Sequence, residues 1–173
     1  MGWMFHNDES LEKIEGIEQF DTNKVVNMQS TFYGLKAEIH LDLNNWDTSN
    51  VTSMRWMFGH SEGIKELHVS NWNVEKVTDM YGAFYLTTLT NIDLSGWNTK
   101  SVEITNRMFN AAYYLETLDI RNFDFSKVTN DTYCFSGFRV PTIRIIVKDQ
   151  EHKDWVLAHN HANLTEDNVV IAS

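Results

Sequence analysis

The stretch Asn44–Trp72, NNWDTSNVTSMRWMFGHSEGIKELHVSNW, is a pattern that most of the chain repeats. With Val51 as origin, Trp46 lies five residues before it, Met54 three after and Phe58 seven after. One cycle later the frame returns as Trp72, Val77, Met80 and Phe84, then as Trp97, Val102 and Phe109, then as Phe123, Val128 and Phe135. Upstream it stands as Phe20, Val25, Met28 and Phe32. The valines advance by 26, 26, 25 and 26 residues. Self-similarity at a fixed period of this length is the signature of a stacked repeat architecture.

Each cycle contains a period-two segment. Leu67-x-Val69, Ile92-x-Leu94 and Leu118-x-Ile120 alternate apolar and polar residues, which predicts a short strand with one buried face. In the cycle ending at Trp46, Leu41 and Leu43 fall correctly, but the first apolar position has slipped to Ile39. A polar corner follows the Trp: DTSN at Asp47–Asn50, NTKS at Asn98–Ser101, DFSK at Asp124–Lys127. Asp and Asn favour turns by bonding their own backbone. Val51, Met54 and Phe58, at offsets 0, 3 and 7, then predict one face of a helix or of tight helical turns. Such a unit cannot close a core alone, and stacked units can. The expected fold is an α/β repeat: a solenoid with a parallel strand face and short helical returns.

Around this array, residues 1–20 read as a degenerate N-terminal partial repeat and residues 21–140 as tandem cycles of 25–26 residues. Residues 141–173 read as a C-terminal cap. Pro141, the only proline, marks its boundary. Within it TIRIIVKD predicts a strand, DQEHKDWVLAHN a helix with Asp149 as N-cap, and NVVIAS a last strand. The cap is thus strand-helix-strand. The opening WMF at Trp3–Phe5 echoes Trp56–Phe58, so the chain is expected to be a fragment cut from a longer array.

Bulk composition narrows the function classes. At 173 residues, 42% hydrophobic and 13% aromatic, the chain has ample core material. A net charge of −10 argues against nucleic acid, whose phosphates need a basic face. No apolar run approaches the roughly 18–20 residues of a membrane helix, so membrane insertion of this chain is not expected. The single Cys134 permits no internal disulfide and no cysteine-based zinc site.

The motifs LNNWDTSNVTSMRWMF, VSNWNVEKVTDMYGAF and LSGWNTKSVEITNRMF resemble the BspA-type leucine-rich-repeat family, L-x-x-L-x-L-S-x-W-[DN]-T-S-x-V-T-x-M-x-x-M-F. The resemblance covers about Leu11 to Phe135. Phe123 departs from it for Trp, Asp131 and Thr105 for Met, and Ala83 and Cys134 for the Met before Phe. It implies a right-handed solenoid with a parallel strand face. It also implies export to the bacterial cell surface or beyond, and roles in adhesion or host-protein binding. No catalytic or binding residue comes with it.

The aromatic ladder Phe20, Trp46, Trp72, Trp97 and Phe123 recurs in phase with Leu, Val and Phe, and therefore belongs to the core. The candidate ligand-binding residues are the outward ones on the strand face. Asp42, His68, Asp93 and Asp119 occupy the middle of successive L-x-L segments, with His40, Glu66, Asn91 and Thr117 two residues earlier. Asn44, Ser70, Ser95 and Arg121 follow two residues later. Parallel strands lie ~4.8 Å apart, so Asp93 and Asp119 are expected to be neighbours. The site set is His40, Asp42, Glu66, His68, Asp93, Asp119 and Arg121, a polar and acidic face suited to a basic patch on a protein ligand or to a divalent cation. The competing account is that an exposed strand face must be polar anyway and that Asp after Leu is the repeat's habit.

No enzyme is expected. GxSxG, HExxH, P-loop and dinucleotide fingerprints are absent. Cys134 stands where the repeat has Met, so it predicts a small buried apolar residue rather than a nucleophile. His152, His159 and His161 lack a convergent carboxylate and predict solvated imidazoles, not a metal site. Asn50, Asn130 and Asn163 fit N-x-[ST] by chance. The chain is expected to be a monomeric, cofactor-free protein-recognition or adhesion module, with a passive structural spacer as the alternative.

Overall fold

The structure is a computed structural model and describes residues 1–139, 142–162 and 164–173. The Pro141 boundary and the Asn163 pattern lie outside the described residues. The chain winds into a parallel-strand β-solenoid of about five turns with little helix. Strands β1 (Ile39–Asp42), β2 (Ile64–His68), β3 (Asn91–Asp93) and β4 (Thr117–Asp119) come one from each cycle. Then follow β5 (Arg144–Val147), helix α1 (Gln150–Ala158) and β6 (Val169–Ile171). Every pairing is parallel, in the order β1-β2 and, separately, β3-β4-β5-β6. The slipped Ile39 appears as a register shift: Ile39 pairs with Ile64, but His40 pairs with Glu66, leaving Lys65 as the extra residue.

The returns are not helical. Among the described residues, 3-10 structure occurs at Ile17–Gln19 and α-helix at α1, while the returns at 29–34, 55–60, 81–86 and 106–111 are successive turns. An α-helix would consume each N–H inside its own coil. Here alternate N–H groups cross to the next coil instead: Met54 to Asp79 O, Trp56 to Tyr81 O, Phe58 to Ala83 O and His60 to Tyr85 O. The same four bonds recur from Met28–Gly34, Met80–Leu86 and Thr105–Ala111, all at 2.8–3.1 Å. The intervening N–H groups close tight turns within the coil, as Met57 to Met54 O at 3.1 Å. This alternation requires left-handed residues. They occur five residues after the valine, at Ser30, Trp56, Gly82, Arg107 and Tyr133, and again four later at Gly34, His60, Leu86, Ala111 and Gly137. Left-handed non-glycine backbone costs about 1–2 kcal/mol per residue, and the cross-coil bonds hold it in place.

The recurring letters of the repeat each have a task in this geometry. The Asp or Asn after the aromatic residue accepts from the N–H two residues on, as Asp47 from Ser49 at 2.9 Å and Asp124 from Ser126 at 2.8 Å, so the corner is an Asx turn. Buried Thr48 and Thr99 donate to Asn73 O and Asp124 O in the following coil, both at 3.0 Å. The indole N–H of Trp46, Trp72 and Trp97 reaches Ile17 O, Leu43 O and Val69 O of the preceding coil, each at 2.8 Å. Phe123 cannot donate, and the neighbouring Asn122 amide bonds Ser95 O instead. Trp46, Trp72 and Trp97 stack at 6.2 and 6.0 Å, and Phe32, Phe58, Phe84, Phe109 and Phe135 form a second stack at 5.4–5.8 Å. Both ladders are buried. Helix α1 is capped by Asp149, which accepts from His152 N at 3.1 Å, and it rests Trp155 on Phe125 with ring centroids 4.0 Å apart.

Two stability effects are expected. Trp72→Ala should cost about 3–5 kcal/mol in urea melts. Trp72→Phe, which keeps the stack but deletes the bond to Leu43 O, should cost only about 1–2 kcal/mol. If the two variants melt alike, the indole bond rather than ring volume dominates. Gly82→Ala should cost about 1–3 kcal/mol, because Gly82 has φ +61° and a Cβ there would sit 2.5 Å from the Trp56 ring.

Candidate functional site

The strand face brings the sequence-predicted residues together unevenly. The register sets His40 opposite Glu66, Asp42 opposite His68, and Asp93 opposite Asp119. Glu66 bridges two imidazoles: His40 Nδ1 lies 3.1 Å from Oε2, and His68 Nε2 lies 2.9 Å from Oε1. Glu38 approaches the other ring nitrogen of His40 at 3.7 Å. The hydrogen bonds from His40 and then His68, followed by the charge of His68, hold the Glu66 carboxyl below the usual 4.5.

The strand ladder is interrupted between β2 and β3, which share no register. Leu67, the apolar residue that would face Ile92, is only half-buried while Ile92 is buried. The gap is a cleft of about 410 Å³ lined by His40, Lys65, Glu66, Leu67, His68, Thr90, Asn91 and Asp93. Four of the predicted residues, His40, Glu66, His68 and Asp93, thus face one concavity. Lys65, Thr90 and Asn91 complete it. The signal for Lys65 was present in the sequence as the one-residue difference between the cycles at Ile39 and Ile64.

The aspartates have a structural task. Asp42, Asp93 and Asp119 each accept from the N–H two residues on, at Asn44, Ser95 and Arg121, over 3.2, 2.9 and 3.2 Å. The repeat's Asp after Leu therefore turns the chain out of the strand, and His68 departs from that role. Asp119 is not an open ligand, contrary to the expectation from alternation. It is buried, and Arg121 grips it through Nε at 3.0 and 3.1 Å and Nη2 at 2.5 Å. Strand β5 lies along its other side, pairing Asp119 with Ile146. Arg121 relieves the like-charge juxtaposition of Asp119 with Asp93 that solvated carboxylates would suffer. Asp119 and Arg121 neutralise each other, and Asp42 lies beside His68 outside the cleft.

The remaining reactive side chains do not converge. His152 is held by Asp149, His159 lies along the Trp155 ring at 4.2 Å, and His161 packs on Tyr133 at 5.0 Å. Burial pushes the Cys134 thiol up to about 12, leaving it protonated at neutral pH. Among the described residues no group of three or more His, Cys, Asp or Glu is placed to hold a metal ion, and no helix is long and apolar enough to cross a membrane. A second, larger concavity of about 840 Å³ lies between the last corners and α1, floored by Phe123, Phe125 and Trp155. Both faces of the Trp155 ring are already occupied, by Phe125 and His159.

The Glu66 bridge gives a titration signature. Its folded pKa is depressed, so its contribution to stability is present above the ordinary glutamate range and is lost as pH falls through the lowered value. The side-chain carboxyl resonance of Glu66 should titrate below 4.5 and return toward it when His40 and His68 are both replaced by Gln. An unchanged midpoint in that double variant would remove the bridge from the site.

The family described as Mycoplasma protein of unknown function, DUF285, matches residues 1–66 and again residues 32–143. The two matches overlap across 32–66, as a family of repeated cycles allows when the alignment shifts by whole coils. No curated protein and no solved structure matches the chain. With the matches together spanning residues 1–143 of 173, the chain belongs to the family described as Mycoplasma protein of unknown function, DUF285.

Proposed function

We propose that this chain is a non-enzymatic protein-recognition or adhesion module of a bacterial cell-surface or secreted protein. In this reading it is a monomeric, right-handed leucine-rich-repeat solenoid of the BspA type, with β5, α1 and β6 closing its C-terminal end. The observation that carries the reading is the gathering of His40, Glu66, His68 and Asp93 around one cleft on the strand face. The cleft is open and lined mainly by polar side chains, and the cross-bonded returns behind it hold its coils together. Such a surface recognises a partner by shape and charge without covalent chemistry. Its carboxylates suit a basic patch on a host extracellular protein. A second reading is a passive spacer, favoured by the unbroken cross-coil bonding of the returns, which makes the array a stiff rod.

The two readings separate in one experiment. The immobilised chain is offered purified extracellular-matrix and plasma proteins, alongside a variant carrying Glu66→Gln, His68→Ala and Asp93→Lys. All three side chains are exposed, and although Asp93 also accepts from Ser95 N–H, His68 holds the same position of its coil without that bond, so the fold should survive, as a melting curve would verify. Capture of a defined protein that falls at least about tenfold in the variant is expected. Capture of none of them by the unaltered chain would favour the spacer.

A further inference from the structure

We infer that the return face is a second interaction surface, one that seats an acidic segment of a protein partner. It lies on the side of the coil away from the strands and is independent of the strand-face cleft. Residues 2–7, 29–34, 55–60, 81–86, 106–111 and 132–137 form successive rungs of the return, and none is Asp or Glu, although the chain has 24 acidic residues. The outward positions of these rungs carry Tyr33, Arg55, Trp56, Tyr81, Tyr85 and Arg107. A protein of net charge −10 thus keeps one band free of carboxylates and places arginine and aromatic residues on it.

The band is pre-organised. Trp56 lies over Gly82, where an added Cβ would meet its ring at 2.5 Å, and over Gly59, at 3.0 Å. Its ring centroid is 5.0 Å from Tyr81, 5.3 Å from Tyr85 and 6.1 Å from Tyr33. His60 joins the same cluster, 5.2 Å from Tyr33 and 5.0 Å from Tyr85. Arg55 rests its guanidinium 4.0 Å above Tyr81, and Arg107 lies 5.8 Å from Tyr133. Burial, and then Lys36, hold the His60 imidazole below its usual 6.5, which disfavours its charged form beside the arginines. The nearby acids stand at its border, where Asp79 is tied to Arg55 at 3.5 Å and Asp131 faces His159 at 3.9 Å.

Two features select an acidic protein segment over an anionic polysaccharide. Tyr, Trp and Arg are the residue types that dominate protein interfaces, and here they pack against one another, which lowers the entropic cost of burying them. The rings are also steeply inclined to one another, at 58–88° for Tyr33–His60, Trp56–Tyr81, His60–Tyr85, Trp56–Tyr85 and Tyr33–Trp56. They present edges and clefts between rings and do not form a coplanar platform on which sugar rings could lie. Carboxylates of the partner would pair with Arg55 and Arg107, and its apolar side chains would enter between the rings.

The test uses the whole chain and three fluorescent probes: a synthetic peptide alternating Glu with Tyr, its Lys-for-Glu counterpart, and heparin. The Glu peptide should bind through the arginines and heparin more weakly, whereas the Lys peptide reports on the acidic strand face, so that its binding should fall with Asp93→Lys and not with the arginine variants. Replacing Arg55 and Arg107 by Gln should weaken the Glu peptide by at least about tenfold, whereas Asp93→Lys on the strand face should not weaken it. Arg107→Gln alone, which leaves the Arg55–Asp79 pair intact, should weaken it in the same direction if the double variant melts early. Failure of the Glu peptide to bind, preference for heparin over it, or full affinity in both arginine variants would overturn the inference and leave the strand-face reading untouched.

Discussion

Everything in this molecule depends on alternate backbone N–H groups of each return reaching the carbonyls of the next coil. Four such bonds from each of four successive returns, at near-ideal length, set the stacking distance and phase of the array. The aromatic stacks follow from that phase: once coils are locked in register, equivalent Phe and Trp side chains must lie one above another. The strands are short, three to five residues, and their pairing lapses between β2 and β3 without disturbing the returns on either side. The strand face is therefore the more permissive side of the solenoid, and the return the more constrained.

That division explains where recognition chemistry can accumulate. Coils bonded on one side and relaxed on the other can splay at the strand face, and the bulged Lys65 beside half-buried Leu67 accompanies such a splay. The opening lies at the coil where His replaces the turn-forming Asp, so that Glu66 is left to bridge two imidazoles. On the return side the constraint works differently. Left-handed backbone and inward Met and Phe fix the path, and the outward positions are free to carry large rings because glycines at 59 and 82 make room beneath them. The molecule thereby presents an acidic, histidine-bearing face and an arginine-aromatic face on opposite sides of one coil.

Much of the architecture was legible in the chain itself. The valine spacing gave the coil, L-x-L the strand, and the D/N-T-S corner the turn, because each of these depends on contacts within a few residues. The offsets 0, 3 and 7 misled, since the face they describe is shared by a helix and by a run of turns. What separates the two is where the N–H groups go, and residue types alone do not record that. The candidate site was legible in part. His40, Glu66, His68 and Asp93 meet as alternation requires, but Asp119 and Arg121 neutralise each other, a pairing decided by side chains two residues apart at the end of an interior strand.

By itself the sequence determined the repeat length, the inward residues, the Asx corners and the membership of a solenoid class, because a periodic apolar pattern has few ways to bury itself. Tertiary structure alone decided that the returns are cross-bonded turns, that the ladder breaks after the second strand, and that scattered aromatic and arginine residues form one acid-free band. Those outcomes depend on which coil lies against which and in what register. Such neighbours stand about a full coil apart in the chain, and nothing in either one's local sequence names the other.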